Sequence, residues 1–360
     1  MEPRMTASLH FHPGDRVCVF APHPDDETLA TGELIQAALS AGAQVRVVFA
    51  TDGDNNPWPQ RWLEKRLRIG PAERRRWGGR RRDEALAALA VLGLEAAGNV
   101  RFLGWPDQGL TALLMQSDVP VAALAAELAA FVPSHVVAPA LADRHPDHSA
   151  LRVMVDLALL RAGTECQRLD YVVHGAGSMA ATRALPSDPQ RRARKLEALA
   201  AHASQIALSG GRLTALACRG ERFGVVETGA NLARADKQAG SIRLAQSALA
   251  RLRRPHDLLL LVATASGVER WRTPLPRLRP ARPDGVLRDA DGRTLAVEWS
   301  MDALEVRLPA SAAPALALYA KIDAAWPRVV VFDRSTWHDA PGLRADATLS
   351  PSRQAAPGLT

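Results

Sequence analysis

Two short apolar runs, parted by an acidic turn and a single helix, constrain this chain more than any other stretch in it. Arg16-Val-Cys-Val-Phe-Ala21 reads as a buried strand, Thr28 to Ala41 as an amphipathic helix capped by Thr28, and Val45-Arg-Val-Val-Phe-Ala50 as a second strand. A strand, helix, strand order favours a parallel pair with a right-handed crossover. The first turn, Ala21-Pro-His-Pro-Asp-Asp-Glu27, sets one imidazole and three carboxylates at positions 23–27. Pro22 and Pro24 stiffen it by fixing φ and holding the residues before them extended. In open α/β sheets, loops at the strands' carboxyl ends face helix N-termini and hold ligands.

The same grammar continues downstream. Asp83 to Leu92 reads as a helix stopped by Gly93, Val100 to Gly104 as a strand, Val119 to Val132 as a helix and His135 to Ala140 as a strand. Directly after that strand comes Asp143-Arg-His-Pro-Asp-His148, a second His and Asp cluster at a strand's carboxyl end. A helix from His148 through Leu160, a strand from Leu169 to His174 and a basic helix from Arg191 to Ala207 follow. Residues 57–82 carry Trp58, Trp62 and Trp77 among many arginines and read as a long connection of the kind that forms lids or binding loops.

The character changes near Lys237. Pro274 to Pro283 is rich in proline and arginine, and short strand-like runs follow at Thr294 to Trp299, Leu304 to Leu308 and Val329 to Phe332. The expected organisation is a catalytic domain over 1–236, a smaller β-containing region over 237–346 and a disordered tail over 347–360.

Composition rules out several classes. With 47% hydrophobic and 23% charged residues, the chain is an ordinary globular protein and not a disordered one. Cys18, Cys166 and Cys218 are odd in number and widely spaced, so no disulfide framework or zinc-finger spacing is present, and a reducing compartment fits. No signal peptide or membrane-spanning run is seen, which points to a soluble cytoplasmic protein. The net charge of +7 suits anionic partners or an arginine-rich solvated surface. No nucleic-acid motif accompanies it, and no specific nucleic-acid partner is expected.

The two acidic clusters ask for one metal ion. His23 and Asp26 with His148 make the two-imidazole, one-carboxylate set that catalytic zinc favours, leaving a position for water. Asp25, His145 and Asp147 remain, matching a hydrolase's need for a base and an oxyanion donor. Spacing alone does not decide which of Asp25 and Asp26 binds metal.

Pro22-His-Pro-Asp-Asp-Glu27 with His145-Pro-Asp-His148 resembles the paired signature of the PIG-L/LmbE-like N-acetylglucosaminyl deacetylases. Thr51-Asp-Gly53, Arg81 with Glu84, Leu103-Gly-Trp-Pro-Asp107 and Ala201-His-Ala-Ser-Gln205 extend the resemblance over about residues 14–225. It implies a Rossmann-like, mostly parallel sheet with helices on both faces, followed here by the smaller C-terminal β-containing region. It implies that His23, Asp26 and His148 hold zinc, or another divalent metal such as iron, and that Asp25 is the general base. His145 would face the oxyanion, Asp147 would tune His145, and Arg81 and Asp107 would lie near the sugar. Arg81 also stands three positions from Glu84, and Asp107 lies in a turn, so local pairing and capping account for the same residues. His174, at the same rim, fits either a lining or a structural histidine, and His202 fits structural support. The implied substrate is a small N-acetylated amino-sugar conjugate, and the arginines of 57–82 suit an anionic one. Two other readings are a zinc hydrolase of a different amide and a non-enzymatic binder of nucleic acid or an anionic surface.

Overall fold

The computed structural model describes residues 7–175, 182–226, 241–245, 255–275, 284–300, 303–308, 315–324, 332–333 and 335–339. They divide into two compact units, one up to Thr228 and the other from Gly229.

The first unit runs β1 (Ala7–Ser8), β2 (Arg16–Ala21), α1 (Asp26–Ser40), β3 (Gln44–Thr51), α2 (Pro57–Glu64), α3 (Pro71–Val91), β4 (Val100–Trp105), α4 (Leu110–Gln116), α5 (Val119–Phe131) and β5 (His135–Pro139). It continues through α6 (Pro146–Ala162), β6 (Gln167–Tyr171), β7 (Thr182–Ala184), α7 (Pro189–Ala201), α8 (Ala203–Ala217) and β8 (Arg222–Val226). The strands form one sheet in the order β1-β7-β8-β6-β5-β2-β3-β4. From β4 across to β6 all pairs are parallel, and β8 pairs antiparallel with both β6 and β7. The chain leaves β2 toward β3 and β4, then returns to lay β5 on β2's other edge. The order therefore reverses between β2 and β5, and a crevice opens at their carboxyl ends.

Both faces are covered. Val17, Val19 and Ala21 of β2 pack into one core with Leu34 and Ile35 of α1, Ala88 of α3 and Ala198 of α7. Successive strand side chains point to opposite faces. The other face meets α5, where Arg46 of β3 reaches Glu127 at 3.5 Å and lies over the Phe131 ring.

Several expectations need correcting. Residues 57–82 are not an open connection. They form α2 and most of α3, so the helix expected from Asp83 begins at Pro71. Pro57 and Pro71 stand near their helix starts, Asn56 caps α2, and the Glu73 carboxylate accepts from the Gly70 N–H at 3.1 Å. The arginines hid α3's inner face, where Arg81 and Glu84 are buried beside Trp77, Gly78, Ala85, Ala88 and Leu89. Thr28 is not the cap of α1. The helix starts at Asp26 with Asp25 at the N-cap position, and the Thr28 hydroxyl bonds the Glu27 carboxylate instead. The strand expected over Leu169 to His174 ends at Tyr171, because the Val173 and His174 N–H groups turn to the Asp143 carboxylate. The helix expected from Arg191 to Ala207 is two, parted at His202.

The second unit is antiparallel β: β9 (Ser241–Ala245), β10 (His256–Thr264), β11 (Gly267–Pro274), β12 (Asp284–Arg288), β13 (Thr294–Trp299), β14 (Ala303–Arg307), β15 (Ala317–Ala324) and β16 (His338–Asp339). Two four-stranded sheets, β11-β10-β15-β16 and β12-β13-β14-β9, share one core. Leu258, Leu260 and Val262 supply it from one sheet, and Leu295, Val297 and Trp299 from the other, each at the two-residue period of a strand. Residues 276–283, most of the run at 329–332 and the tail at 347–360 lie outside the described residues.

Candidate metal centre

The reversal between β2 and β5 brings the two acidic clusters together. Asp26, in the first turn of α1, holds the centre: its Oδ2 accepts the His23 backbone N–H at 3.0 Å and lies 3.1 Å from His23 Nδ1 and 3.2 Å from His148 Nε2. His148 enters from the first turn of α6 and is fully buried. Both of its ring nitrogens lie 3.2 Å from a carboxylate, Nε2 from Asp26 and Nδ1 from Asp143, yet neither is aligned for a hydrogen bond. A buried imidazole aimed at a carboxylate with its nitrogen unsatisfied is the donor set a divalent cation completes. The arrangement of Asp143 behind His148 is the carboxylate support that metal-bound histidines use.

His23 Nε2 lies 3.3 Å from both Asp107 and Asp147. Asp107 reached this position from the loop after β4, and its other oxygen accepts the Asn55 N–H at 2.7 Å. The Asp147 carboxylate accepts from the backbone N–H groups of Gln108 and Leu110, at 2.6 and 3.0 Å, so it anchors the loop that carries Asp107. Asp147 meets His145 through its own backbone N–H, which donates to His145 Nδ1 at 3.2 Å. That bond leaves the His145 proton on Nε2.

The charges follow from this crowding. Burial works against a proton on His23, but the carboxylates of Asp107, Asp147 and Asp26 outweigh it and hold the ring's pKa well above the ordinary histidine value. Burial is likewise outweighed at His148, where Asp143 and Asp26 push the pKa up to about 10. Asp26, despite its burial, is held well below the usual carboxylate range by His148 and His23. His145 is driven well below the histidine range by burial and then by the neighbouring His23 and His148, so it is neutral. His174, brought within 5.0 Å of the His148 ring, falls to about 4 for the same reasons, burial first.

Asp25 stands apart from that cluster. Its backbone has φ 138° and ψ −28°, a conformation L residues rarely adopt. Burial lifts its carboxyl to about 6, although Arg81 pulls the other way. Two side chains hold it there, each supported in turn by others. Arg81 Nη2 lies 3.2 Å from Asp25 Oδ2 and donates to the Pro24 carbonyl, while Nη1 donates to the Gly53 carbonyl at 2.7 Å. Gly53 is at φ 62°, and a Cβ there would come within 1.9 Å of Arg81 Nη1, so the turn needs glycine. From below, Glu27 Oε2 accepts the Asp25 N–H at 2.9 Å, and Glu27 Oε1 lies 3.1 Å from Nε2 of the fully buried His202.

The structure thus brings together all eight residues singled out above, His23, Asp25, Asp26, Arg81, Asp107, His145, Asp147 and His148. The local partner of Glu84 is Arg80, at 3.0 Å, and not Arg81. Sequence reasoning gave no role to Asp143 or Glu27. Asp143 stands two positions before His145, and Glu27 directly after Asp26, so adjacency to the clusters was the available signal.

The family profile described as PIG-L: GlcNAc-PI de-N-acetylase matches residues 18–159. A 1D-myo-inositol 2-acetamido-2-deoxy-alpha-D-glucopyranoside deacetylase of Gordonia bronchialis is 30% identical over 237 residues, covering 52% of this chain and 83% of that protein. The protein of the same name from Mycolicibacterium vanbaalenii is 32% identical over 182 residues, covering 45% of this chain and 60% of its own length. The chain thus spans about 60% of the length of several curated relatives that it matches. Among solved structures, an N,N'-diacetylchitobiose deacetylase from Pyrococcus horikoshii is similar with a TM-score of 0.47 and 19% identity, over 59% of this chain and 84% of that one.

Proposed function

This chain belongs to the PIG-L family, and from that premise we propose that it is a zinc hydrolase removing the acetyl group from an N-acetylated amino-sugar conjugate of the N-acetylglucosamine type. The observation that carries the reading is the convergence of His23 and His148 on Asp26 Oδ2, with the strained Asp25 as its neighbour. His23, Asp26 and His148 would hold the metal. A bound divalent cation lowers the pKa of water and polarises the amide carbonyl.

The rest falls to the chain's own groups. Asp25, as a carboxylate, takes a proton from water as the water oxygen bonds to the carbonyl carbon. His145, neutral with its proton on Nε2, donates to the oxygen where negative charge grows. Asp147 and Asp107 orient His23 and the loop after β4. Arg81 keeps the Asp25 carboxylate and the Pro24 carbonyl in place, and Asp107 offers an acceptor to a sugar hydroxyl. When the carbon–nitrogen bond breaks, the nitrogen takes up the proton that Asp25 accepted from water, and the amine and acetate leave.

The test is metal content of the purified chain together with acetate release from a panel of N-acetylglucosamine conjugates, before and after chelation and zinc restoration. About one metal per chain with release lost on chelation and regained with zinc supports the proposal. Bound metal with release only from other amides would reject the substrate class, and failure to bind metal after reconstitution would reject the site.

A further inference from the structure

Among the described residues, eight large apolar side chains are exposed, and four of them, Trp58, Trp62, Leu63 and Leu67, fall within ten positions of one another. Trp58 is 62% exposed, Trp62 67% and Leu67 88%. Trp58 and Trp62 are four apart on α2, hence on one face of the helix. The helix's inner side is occupied otherwise: Pro59 and Gln60 are buried, and Gln60 Nε2 donates to the Glu73 carbonyl at 2.8 Å. The tryptophans are thus left on the outside by the way α2 is seated.

Charge of one sign surrounds them. Residues 57–76 hold seven lysines and arginines against two glutamates, a net of 7 − 2 = +5. Both glutamates are already engaged, Glu64 with Arg76 and Glu73 with Arg66. Arg61 lies over the Trp58 ring at 5.1 Å, and Lys65, Arg68 and Arg75 are exposed. The patch also begins at the metal centre's margin, since Asn56 caps α2 while the adjacent Asn55 N–H bonds Asp107.

We propose that α2 and the segment to Arg68 dock this protein on an anionic phospholipid surface, the tryptophans and Leu67 entering the headgroup boundary and the cations meeting lipid phosphates. Tryptophan and leucine flanked by lysine and arginine are the side chains that seat a short amphipathic helix in that boundary. A second copy of the chain is disfavoured as occupant, because a two-fold contact through this patch sets like charges face to face. Single-stranded nucleic acid is disfavoured as well. It is held in a groove by stacking, whereas Leu67 cannot stack and is the most exposed of the four. The surface does not depend on what the metal centre hydrolyses.

The test is flotation of the full-length protein with vesicles of phosphatidylcholine alone and of phosphatidylcholine with phosphatidylglycerol, at low and high salt. Binding to the anionic vesicles only, released by salt, is expected. The triple variant Trp58→Ser, Trp62→Ser, Leu67→Ser and the charge variant Lys65→Gln, Arg68→Gln should each bind roughly tenfold more weakly or less. All forms should keep the same circular dichroism and metal content, which separates lost docking from lost fold. The proposal fails if the wild type ignores anionic vesicles or if the folded variants bind undiminished. It also fails if inorganic phosphate displaces the protein from vesicles as a simple competitor, if the triple variant turns a dimer into a monomer, or if single-stranded RNA binds more tightly than vesicles through the same residues.

Discussion

Asp25 carries a backbone strain of order 1–3 kcal/mol and a carboxyl lifted to about 6. Because its pKa is raised, the unfolded chain gives up this proton first, and stability is lost as pH rises from about 4 to about 6. The Asp25→Asn variant of the chelated protein should therefore melt higher than the parent above pH 6, by about 3 kcal/mol at most, and the gap should close toward pH 4. Its activity should move the other way, with acetate release falling on the order of a thousandfold while metal content is unchanged. Since the carboxylate is the working form, kcat/KM of the parent should fall as pH drops through about 6, or lower once a neighbouring cation draws the value down. Gly53→Ala gives a separate check on the support of Asp25. The Cβ must displace Arg81 and occupy a positive φ, so urea unfolding should register a loss of about 1–3 kcal/mol. Much at this scale was legible in the chain itself. The clusters at 23–26 and 145–148 stand out because a metal site restricts residue type and spacing, although spacing left Asp25 and Asp26 undistinguished. Arg81 stood out only through the family resemblance, since a guanidinium bonding the Pro24 and Gly53 carbonyls leaves no pattern of its own in the sequence around it.

His202 parts α7 from α8, and its ring lies 3.1 Å from the Glu27 carboxylate that accepts the Asp25 N–H. His202→Gln should lower kcat with KM and metal content unchanged, because the change reaches Asp25 through Glu27 and touches none of the residues assigned to the metal. Ser204, two positions on at the start of α8, should behave differently. Its N–H and hydroxyl both bond the Glu84 carboxylate of α3, so Ser204→Ala should cost about 1–3 kcal/mol in a urea melt and leave kcat nearly unchanged. The Ala201-His-Ala-Ser-Gln205 stretch therefore joins two tasks: His202 supports Asp25 through Glu27, and Ser204 ties α8 to α3. The strands of the sheet were readable because β2, β3 and β5 are continuous apolar runs, as strands covered on both faces must be. α3 was not readable over its first half, which is dense in arginine and buries Arg81 against Asp25 and the Pro24 and Gly53 carbonyls, partners distant in sequence.

Each of the two units has its own hydrophobic core. Calorimetry of the metal-loaded and chelated protein should resolve two transitions, and only that of the unit ending at Thr228 should move on chelation. A cation at a hundred times its dissociation constant stabilises the fold that binds it by about 2.7 kcal/mol, and the β unit holds none of the residues assigned to the metal. A change in both transitions would show the cores to be one cooperative system. The crevice between β2 and β5 carries a further consequence, one of timing. Its contacts join residues as far apart as His23 and Asp147, 124 positions along the chain. A nascent polypeptide has only half a centre while β3, α3 and α5 are being made, and gains the rest when α6 emerges from the ribosome. Ion binding by His23, Asp26 and His148 would therefore wait until β5 lies beside β2, and a truncated translation product ending before His148 should retain the ion more weakly than the full chain.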